Sequence, residues 1–559
     1  MKAKHFFPMF VLILSGCNSA GPDSGSAQDD NSLLSNQLAN PTAYIPAQCY
    51  TRTEDDSGGV HNPCYTCHIN SRPPNQVNDV DLQLSYSFPG PAQTNPWSNL
   101  FRDRRADMAA IADDTVDSYV RTGNYFADGG DIALARLARE VPEDWDYNGN
   151  GQWDGFVPDV RFDFDSEGFD RTPDGGYSGW RAFAYYPFLG TFFPANGSTD
   201  DVLIRLPEIF RLNGEGHFDT EAYKLNLAIV ESLIKREDVA IDPVDEQVWQ
   251  VDLNQDGILG VSNRVVFRWD VTQGRLMEYV GAARQPMARG EVHIAPGLYP
   301  EGTEFVHTVR YLDIREDGSI GLSARLKELR YARKRSWLNY HDLEKHAFTE
   351  AKERHDFPDR LKQIIGNPEE GVSNGKGWNY QGFIESADGA LRPQTFEEHA
   401  FCVGCHSGLG ATTDDTFAMA RKFPADSFQQ GWYHWSQKGL AGIAEPRRSD
   451  GEPEYGHYLQ QNGSASEFRN NPEVQASFFH TDGTPKSVRL KLLEQDISLL
   501  LLPSPERARA LNKAYWLIVQ EQSFSKGRDP VLEPVTEVWR EVESDLATGV
   551  TVPVVSPWK

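Results

Sequence analysis

The segment Cys64-Tyr65-Thr66-Cys67-His68 is matched in form by Cys402-Val403-Gly404-Cys405-His406, so the chain contains two C-x-x-C-H sequences. Together they use four of its six cysteines. In such a segment the two thiols can form thioether bonds to the vinyl groups of a haem, and the histidine can bind the iron from one face. The two segments therefore predict two covalently bound haem c groups, with His68 and His406 as axial iron ligands.

Two other uses of paired cysteines fit these segments less well. The cysteine pairs of a zinc ribbon lie about 15–20 residues apart, whereas these pairs are separated by more than 300 residues. A thioredoxin-like motif needs a strand that opens into a helix, and neither pair follows such a pattern. Metal binding and redox thiols stay as the alternatives to haem attachment.

The first residues have the pattern of a bacterial lipoprotein signal. A basic start precedes the short apolar run 6–14, which is too short to span a bilayer. Leu14-Ser15-Gly16-Cys17 then resembles a lipobox, in which the cysteine becomes the lipid-modified terminus. We therefore predict lipidation at Cys17 and export to the periplasm or outer membrane of a Gram-negative bacterium; an ordinary cleaved signal is the alternative.

The composition narrows the choice of partners. The chain has 81 acidic and 54 basic residues, a formal charge of −27. This charge argues against binding to nucleic acid and against docking on anionic lipid, so membrane contact is predicted through the lipid anchor. We interpret the charge as serving solubility, and a basic redox partner protein is the alternative. Cys49 is left over once Cys17 is lipidated and four thiols bind haem. We interpret Cys49 as a buried, inert residue, and an iron ligand or an intermolecular disulfide are the alternatives.

The periodicity of apolar residues predicts an α+β fold with extensive irregular loops and with helical haem c regions near both ends of the mature chain. Helical patterns occur at 104–121, 130–140, 219–237, 340–365 and 503–524, and strand-like patterns at 264–269 and 304–312. The predicted regions are a signal peptide with lipobox (1–17), a flexible tether (18–45), a first haem c region (46–130), an acidic region rich in calcium loops (131–270), a mixed strand and helix region (271–390) and a second haem c region (391–559).

Two acidic stretches match the D-x-[DN]-x-[DN]-G pattern of calcium-binding loops. In both, the glutamate expected at position twelve is missing, because Val157 and Asn263 stand there. They predict structural calcium ions of modest affinity; acidic turns held by their own hydrogen bonds are the alternative. The candidate ligands are Asp146, Asn148, Asn150 and Asp154 in the first loop and Asp252, Asn254 and Asp256 in the second.

Several side chains are candidates for the second axial position on the irons. His61 and His399 each lie three residues before a first cysteine, so His61 can serve the second haem and His399 the first if the two sites pack together. The alternative is a hydrogen bond to a propionate or a loop carbonyl. Met419 is a third candidate, and its thioether would raise the potential relative to two histidines. His307 lies in a strand pattern and is interpreted as an ordinary polar residue.

Stretches spread over most of the mature chain resemble a family of uncharacterised bacterial dihaem cytochrome c lipoproteins. The resemblance implies two haems per polypeptide and brings no assigned substrate. The chain is less similar to dihaem peroxidases, whose two haem motifs lie much closer together. The stretches that carry the resemblance are His61–His68, Gly179–Phe183, Asp200–Pro207 and Leu391–His406. Of these, Cys64, Cys67 and His68 are implied to bind one haem, and Cys402, Cys405 and His406 the other.

These observations predict a dihaem c-type cytochrome lipoprotein that carries out extracytoplasmic electron transfer. One rival is a dihaem peroxidase or oxygenase-type enzyme with one open haem face. The large middle region, 131–390, favours this rival because a simple carrier needs less protein. A second rival is a haem-containing component of an outer-membrane redox assembly. The sequence indicates no catalytic residue and no oligomeric state.

Overall fold

A ten-stranded antiparallel sheet organises the chain, whose computed structural model describes residues 33–52, 62–75, 84–424, 427 and 430–550. The path through the sheet is β1-β2-β4-β7-β8-β11-β10-β9, with β12 beside β11 and β3 beside β7. Its strands are β1 (Phe169–Arg171), β2 (Tyr177–Ala182), β3 (Thr199–Asp200), β4 (Leu203–Arg205), β7 (Glu304–Ile314), β8 (Ile320–Lys334), β9 (Ile365–Asn367), β10 (Gly371–Ser373), β11 (Trp378–Glu385) and β12 (Leu391–Pro393). A separate hairpin consists of β5 (Val239–Asp245) and β6 (Val261–Val265).

The helices lie before, between and after these strands, which confirms the predicted α+β class with long irregular connections. None of the helices in the described ranges is long and apolar enough to cross a membrane. They are α1 (Arg105–Ala110), α2 (Asp113–Arg121), α3 (Ala133–Arg139), α4 (Thr220–Lys235), α5 (Glu246–Trp249), α6 (Arg284–Ala288), α7 (Tyr340–Asp356), α8 (Phe396–Ala400), α9 (Cys402–Cys405), α10 (Glu454–Asn462), α11 (Pro472–Phe478), α12 (Ser487–Leu493), α13 (Ser498–Leu501) and α14 (Pro505–Glu521).

Both faces of the central strands β7, β8 and β11 are covered by protein. Apolar and polar residues therefore do not alternate regularly along these strands. One face buries Val306, Leu329, Tyr331 and Phe383 against aromatic loops from residues 125–164. The opposite face carries Phe305, Trp378 and Tyr380 toward the segment that contains α8 and α9. This second face is the floor of the candidate site.

The two ends of the described chain pack together. Thr51 pairs with Val538, Ser85 with Ala547, and Thr94 with Glu541, each as an isolated antiparallel bridge. A cluster of apolar residues from 45–101 and 531–542 fills the space between them. The regions predicted as first and second haem c regions are therefore neighbours in space.

Candidate functional site

Each C-x-x-C-H segment is folded into a single helical turn. The second forms α9, and the first begins with a 3₁₀ turn over Pro63–Thr66. The N–H of His68 donates to the carbonyl oxygen of Cys64 at 2.9 Å, and the N–H of His406 donates to that of Cys402 at 3.0 Å. Side chains at positions i, i+3 and i+4 of such a turn project from one side. Each segment thus presents two sulfurs and one imidazole toward a common space.

The two segments, more than 300 residues apart in sequence, meet in the fold. The N–H of Ala411, which follows the second segment, donates to the carbonyl oxygen of Cys67 at 3.1 Å. The side-chain amide of Asn75 donates to the carbonyl of Leu409 at 2.8 Å. A Cβ added at Gly410 would lie 1.7 Å from the carbonyl oxygen of Ile69, so only glycine permits this approach. The segments therefore form one site and not two separate ones.

All four thiols lie deep in the protein, yet each keeps partial accessibility and none is disulfide-bonded within the described residues. Burial raises the pKa of Cys64 and of Cys405 to about 12. Burial also raises the pKa of Cys67, and the neighbouring Cys405 adds to this effect. Deep residues that stay partly accessible line internal space, which is the placement that thioether attachment requires.

The geometry of His406 suits an iron ligand. Its Nδ1–H donates to the carbonyl oxygen of Asp415 at 2.6 Å, and its ring stacks on Tyr380 with centroids 4.6 Å apart. Burial lowers the pKa of His406 to about 4, so the imidazole is neutral at physiological pH. Its Nε2 makes no hydrogen bond to any described residue. A histidine that binds a metal characteristically anchors its other ring nitrogen on a carbonyl in this way, so His406 fits the axial role.

Within the described ranges, no three His, Cys, Asp or Glu side chains converge as they would around a bare metal ion. A haem makes a different demand, because the porphyrin nitrogens fill the in-plane positions of the iron. The protein then supplies only the axial side chains and the two sulfurs.

Of the candidate distal ligands, His399 is bonded to the main chain, and His61 lies outside the described residues. His399 is fully buried; its Nδ1–H donates to the carbonyl of Thr395 at 3.0 Å, and its Nε2 accepts from the N–H of Gly382 at 2.9 Å. Both ring nitrogens are thus bonded to the main chain. His399 joins α8 to β11, as the hydrogen-bonding alternative predicted, and has no nitrogen left for an iron.

Met419 is fully buried in the core that includes α4. It follows the segment whose Asp415 carbonyl binds Nδ1 of His406. Its role as a distal ligand stays a prediction.

A cleft beside the first segment was not indicated by any sequence motif. Its cavity volume is about 20 Å³, which is room for about one water molecule. A buried ion pair borders it, in which both Nη atoms of Arg421 donate to Glu454, at 3.0 and 2.9 Å. The ring of His457 meets the edge of Tyr65 with centroids 6.1 Å apart. The polar residues that line the cleft are Tyr65, Thr66, Arg421, Arg448, Glu454, His457 and Tyr458.

The two acidic loops have the same hydrogen-bond pattern at equivalent positions. In the first, Asp146 accepts from the N–H groups of Asn150 and Gly151, at 3.0 and 2.7 Å. In the second, Asp252 accepts from those of Asp256 and Gly257, at 3.2 and 2.8 Å. The remaining ligand candidates are also brought together in the first loop, where Asn148 and Asn150 both donate to Asp154, while in the second loop Asn254 accepts from the N–H of Asp256.

A glutamate from outside each loop closes it at the same two positions. Glu369 accepts from the N–H groups of Tyr147 and Asp154, which are positions two and nine of the first loop. Glu246 accepts from those of Leu253 and Gly260, the equivalent positions of the second. Neither glutamate was found from sequence, because both lie outside the loop pattern. Glu369 is also more than 200 residues from its loop. Calcium binding at the two loops stays a prediction.

Cys49 and Cys17 are the two cysteines outside the C-x-x-C-H segments. Cys49 is partly buried against the cluster that joins the chain ends, and it forms no disulfide with any described residue. Cys17 and the predicted signal peptide lie outside the described residues, as does most of the predicted tether.

Comparison with known proteins places the chain among lipoproteins. A family model described as a “-like lipoprotein” matches residues 33–495. An uncharacterized lipoprotein of Aquifex aeolicus (strain VF5) is 30% identical over 573 aligned residues, which cover 93% of this chain and 90% of that protein. No solved structure matches the chain.

Proposed function

Since the chain belongs to this lipoprotein family, as an exported protein held to a membrane by a lipid anchor, we propose that it is a dihaem c-type cytochrome that transfers electrons outside the cytoplasm. The observation that carries the proposal is the meeting of the two C-x-x-C-H turns, joined by the hydrogen bond from Ala411 to Cys67. Two such turns in contact are expected for a protein that passes electrons between its cofactors. Neither turn needs this contact to attach a haem of its own.

When bound, the two haems supply irons that exchange single electrons between ferric and ferrous states. The chain supplies the attachment and the tuning. Cys64 and Cys67 would tether one group and Cys402 and Cys405 the other. His68 and His406 would each bind one iron, and the carbonyl of Asp415 fixes the orientation of the His406 ring.

Charged groups around the second C-x-x-C-H turn would influence the reduction potential of the haem held there. The guanidinium of Arg330 lies close enough to contribute to the pKa shifts of Cys402, Cys405 and His406. A nearby cation disfavours the ferric state and raises the reduction potential, whereas the net charge of −27 acts in the opposite direction. The acidic surface also suits a basic redox partner. We propose in addition that the two acidic loops bind structural calcium.

A second candidate function is supported by the cleft beside the first turn. Polar groups that converge in a cleft can orient a small bound molecule, and a cavity of about 20 Å³ has room only for a molecule near the size of water. Arg448, His457 and Tyr458 are placed there within one cleft together with Tyr65 of the first C-x-x-C-H segment. In this alternative the first haem keeps an open face for a small oxidant, and the second delivers electrons to it.

The deciding experiment is to count haems and to examine their spin states in protein purified from a cytochrome c-maturing host. We expect the pyridine haemochrome assay and intact mass to give two haems per chain. A ferric spectrum with only low-spin bands supports the carrier. A high-spin component that shifts with cyanide supports the enzyme. A blank haemochrome assay and no added mass would overturn both candidates.

A further inference from the structure

The side chain of His307 lies on the same face of the sheet as the aromatic floor beneath His406. In the antiparallel register, His307 of β7 pairs with Arg330 of β8, which pairs with Gly382 of β11. The adjacent row on the same face is Phe305, Ala332 and Tyr380. With strands about 4.8 Å apart and about 3.4 Å per residue along a strand, His307 lies roughly 12 Å diagonally across the sheet from Tyr380, on which His406 stacks.

The imidazole of His307 is a polar group that its surroundings do not satisfy. It makes no hydrogen bond, ion pair or ring contact with any described residue. It is nevertheless inside the protein: burial lowers its pKa to about 3, with Arg330 and His406 as the next largest causes. The side chain is only partly covered, so protein does not pack against it on every side. A neutral imidazole in this setting keeps a ring nitrogen free to bind a ligand.

His406 supplies the complementary half of this arrangement. Its Nδ1 is occupied by the Asp415 carbonyl, and its Nε2 has no partner among the described residues. His307 lies on the face of the sheet that also carries Tyr380, the ring on which His406 stacks. Two neutral imidazoles, each with a nitrogen to donate, are the axial pair of a six-coordinate haem.

The other histidines with described positions do not compete for this place. His399 and His434 have both ring nitrogens bonded. His293 stacks on Trp337, and His457 lies in the cleft of the first turn. The rest, apart from His68 itself, are exposed on the surface, namely His217, His341, His346, His355 and His480.

We infer that His307 is the second axial ligand of the iron bound by His406. The inference rests on the proposed function, since it requires a haem at the second turn. It assigns a strand residue to the role that the sequence analysis gave to His61, His399 or Met419. It also makes the second haem a closed, six-coordinate relay, so that any reaction with a small molecule takes place at the first haem.

The test uses the full-length holoprotein with His307→Ala. We expect one of the two haems to change from low-spin to high-spin ferric in the optical and electron paramagnetic resonance spectra. Added imidazole should restore the low-spin signal. His346→Ala, on the exposed surface of α7, is the matched control and should leave both spectra unchanged.

Counting haems in the same samples distinguishes a failure of the inference about His307 from a failure of the proposed function. Two haems with an unchanged His307→Ala spectrum would overturn the inference and leave the proposed function standing. Native protein without haem would overturn the proposed function itself. If His307→Ala does not retain both haems, His307→Met preserves a ligand and should raise the potential of one haem, because a thioether replaces an imidazole. Two unchanged potentials in that variant would also overturn the inference.

Discussion

The N–H of Ala411 donates a hydrogen bond of 3.1 Å to the carbonyl oxygen of Cys67. This bond joins the loop after the second C-x-x-C-H turn to the middle of the first. The bridges between Thr51 and Val538 and between Thr94 and Glu541 bring the same two ends of the chain together elsewhere. The site therefore depends on contacts between residues that are very far apart in sequence.

Replacing both thiols of one turn should remove one haem and leave the other. We expect Cys64→Ala/Cys67→Ala to reduce the haem content from two to one per chain, because thioether attachment needs both sulfurs of its own turn. The pyridine haemochrome assay on purified protein measures this.

Cys49→Ala is the matched control for that variant, since Cys49 lies in the apolar cluster between the chain ends and outside both turns. It should retain two haems. Loss of a haem from Cys49→Ala would instead assign Cys49 a role at the site.

The close approach of the two turns should be sensitive to a single methyl group. In Gly410→Ala the new Cβ would lie 1.7 Å from the Ile69 carbonyl oxygen, so the loop or the first turn must shift. We expect a loss of about 1–3 kcal/mol or more in the free energy of unfolding, as for other overpacked sites. Chemical denaturation of the holoprotein gives this value.

Gly439→Ala serves as the comparison, because nothing lies within 4 Å of its added Cβ. It should change stability by no more than about 0.5 kcal/mol. Equal effects of the two substitutions would mean that the contact between Gly410 and Ile69 is not tight in solution.

Local patterns in the sequence were sufficient where neighbouring residues determine the structure. The helix predicted at 219–237 is found as Thr220–Lys235, with Asp219 accepting from the first-turn N–H groups of Glu221 and Ala222. The helix predicted at 340–365 ends at Asp356, because Pro358 disfavours helical geometry at Phe357. The pattern at 264–269 leaves the hairpin after Val265, since the N–H of Val266 bonds the acidic loop at Leu253 instead.

Of the candidate site, the sequence predicted only the two C-x-x-C-H turns, because their cysteines and histidines form a five-residue motif. The position of His307 depends on the register of β7, β8 and β11, and sequence periodicity does not determine which residues of distant strands face each other. The shared offset of His61 and His399 suggested a common role, but His399 is bonded to the main chain at both nitrogens.

Calcium should stabilise the folded protein if the two acidic loops bind it. Extracellular sites of this kind bind in the range of about 10⁻⁴–10⁻³ M, so a few millimolar calcium should add about 1–2 kcal/mol per loop to the free energy of unfolding. Asp146→Ala and Asp252→Ala should each abolish the calcium-dependent stabilisation from one loop. The two effects should be similar, because the two loops have equivalent hydrogen bonds.

Thermal unfolding with added calcium, and again with a chelator, measures the calcium effect. Asp131→Asn changes an exposed carboxylate outside the loops and should keep the full effect. The same unfolding temperature in calcium and in chelator would favour the alternative that the loops are acidic turns held by their own hydrogen bonds.

Glu445, which accepts from N–H groups at the start of α10, should make the protein less stable as the pH rises toward neutrality. Burial raises the pKa of Glu445 to about 7, with Glu494 and Glu454 adding to the shift and the N–H groups of Gly456 and Tyr455 opposing it. Those N–H groups begin α10, which carries His457 into the cleft. Because the folded pKa exceeds the unfolded value near 4.5, the folded state holds a proton that the unfolded state has lost. The free energy of unfolding should therefore fall by up to about 1.4 kcal/mol per pH unit between about pH 4.5 and 7, and level off above that range.

The variant Glu445→Gln tests this expectation, because its side chain cannot ionise and can still accept from both N–H groups. The unfolding free energy of this variant should not decline over that pH range. Glu452→Gln, which is exposed nearby, is the control and should keep the decline. Denaturation of native protein and both variants across this pH range measures the difference, and parallel curves for the native protein and Glu445→Gln would show that Glu445 ionises normally in the folded state.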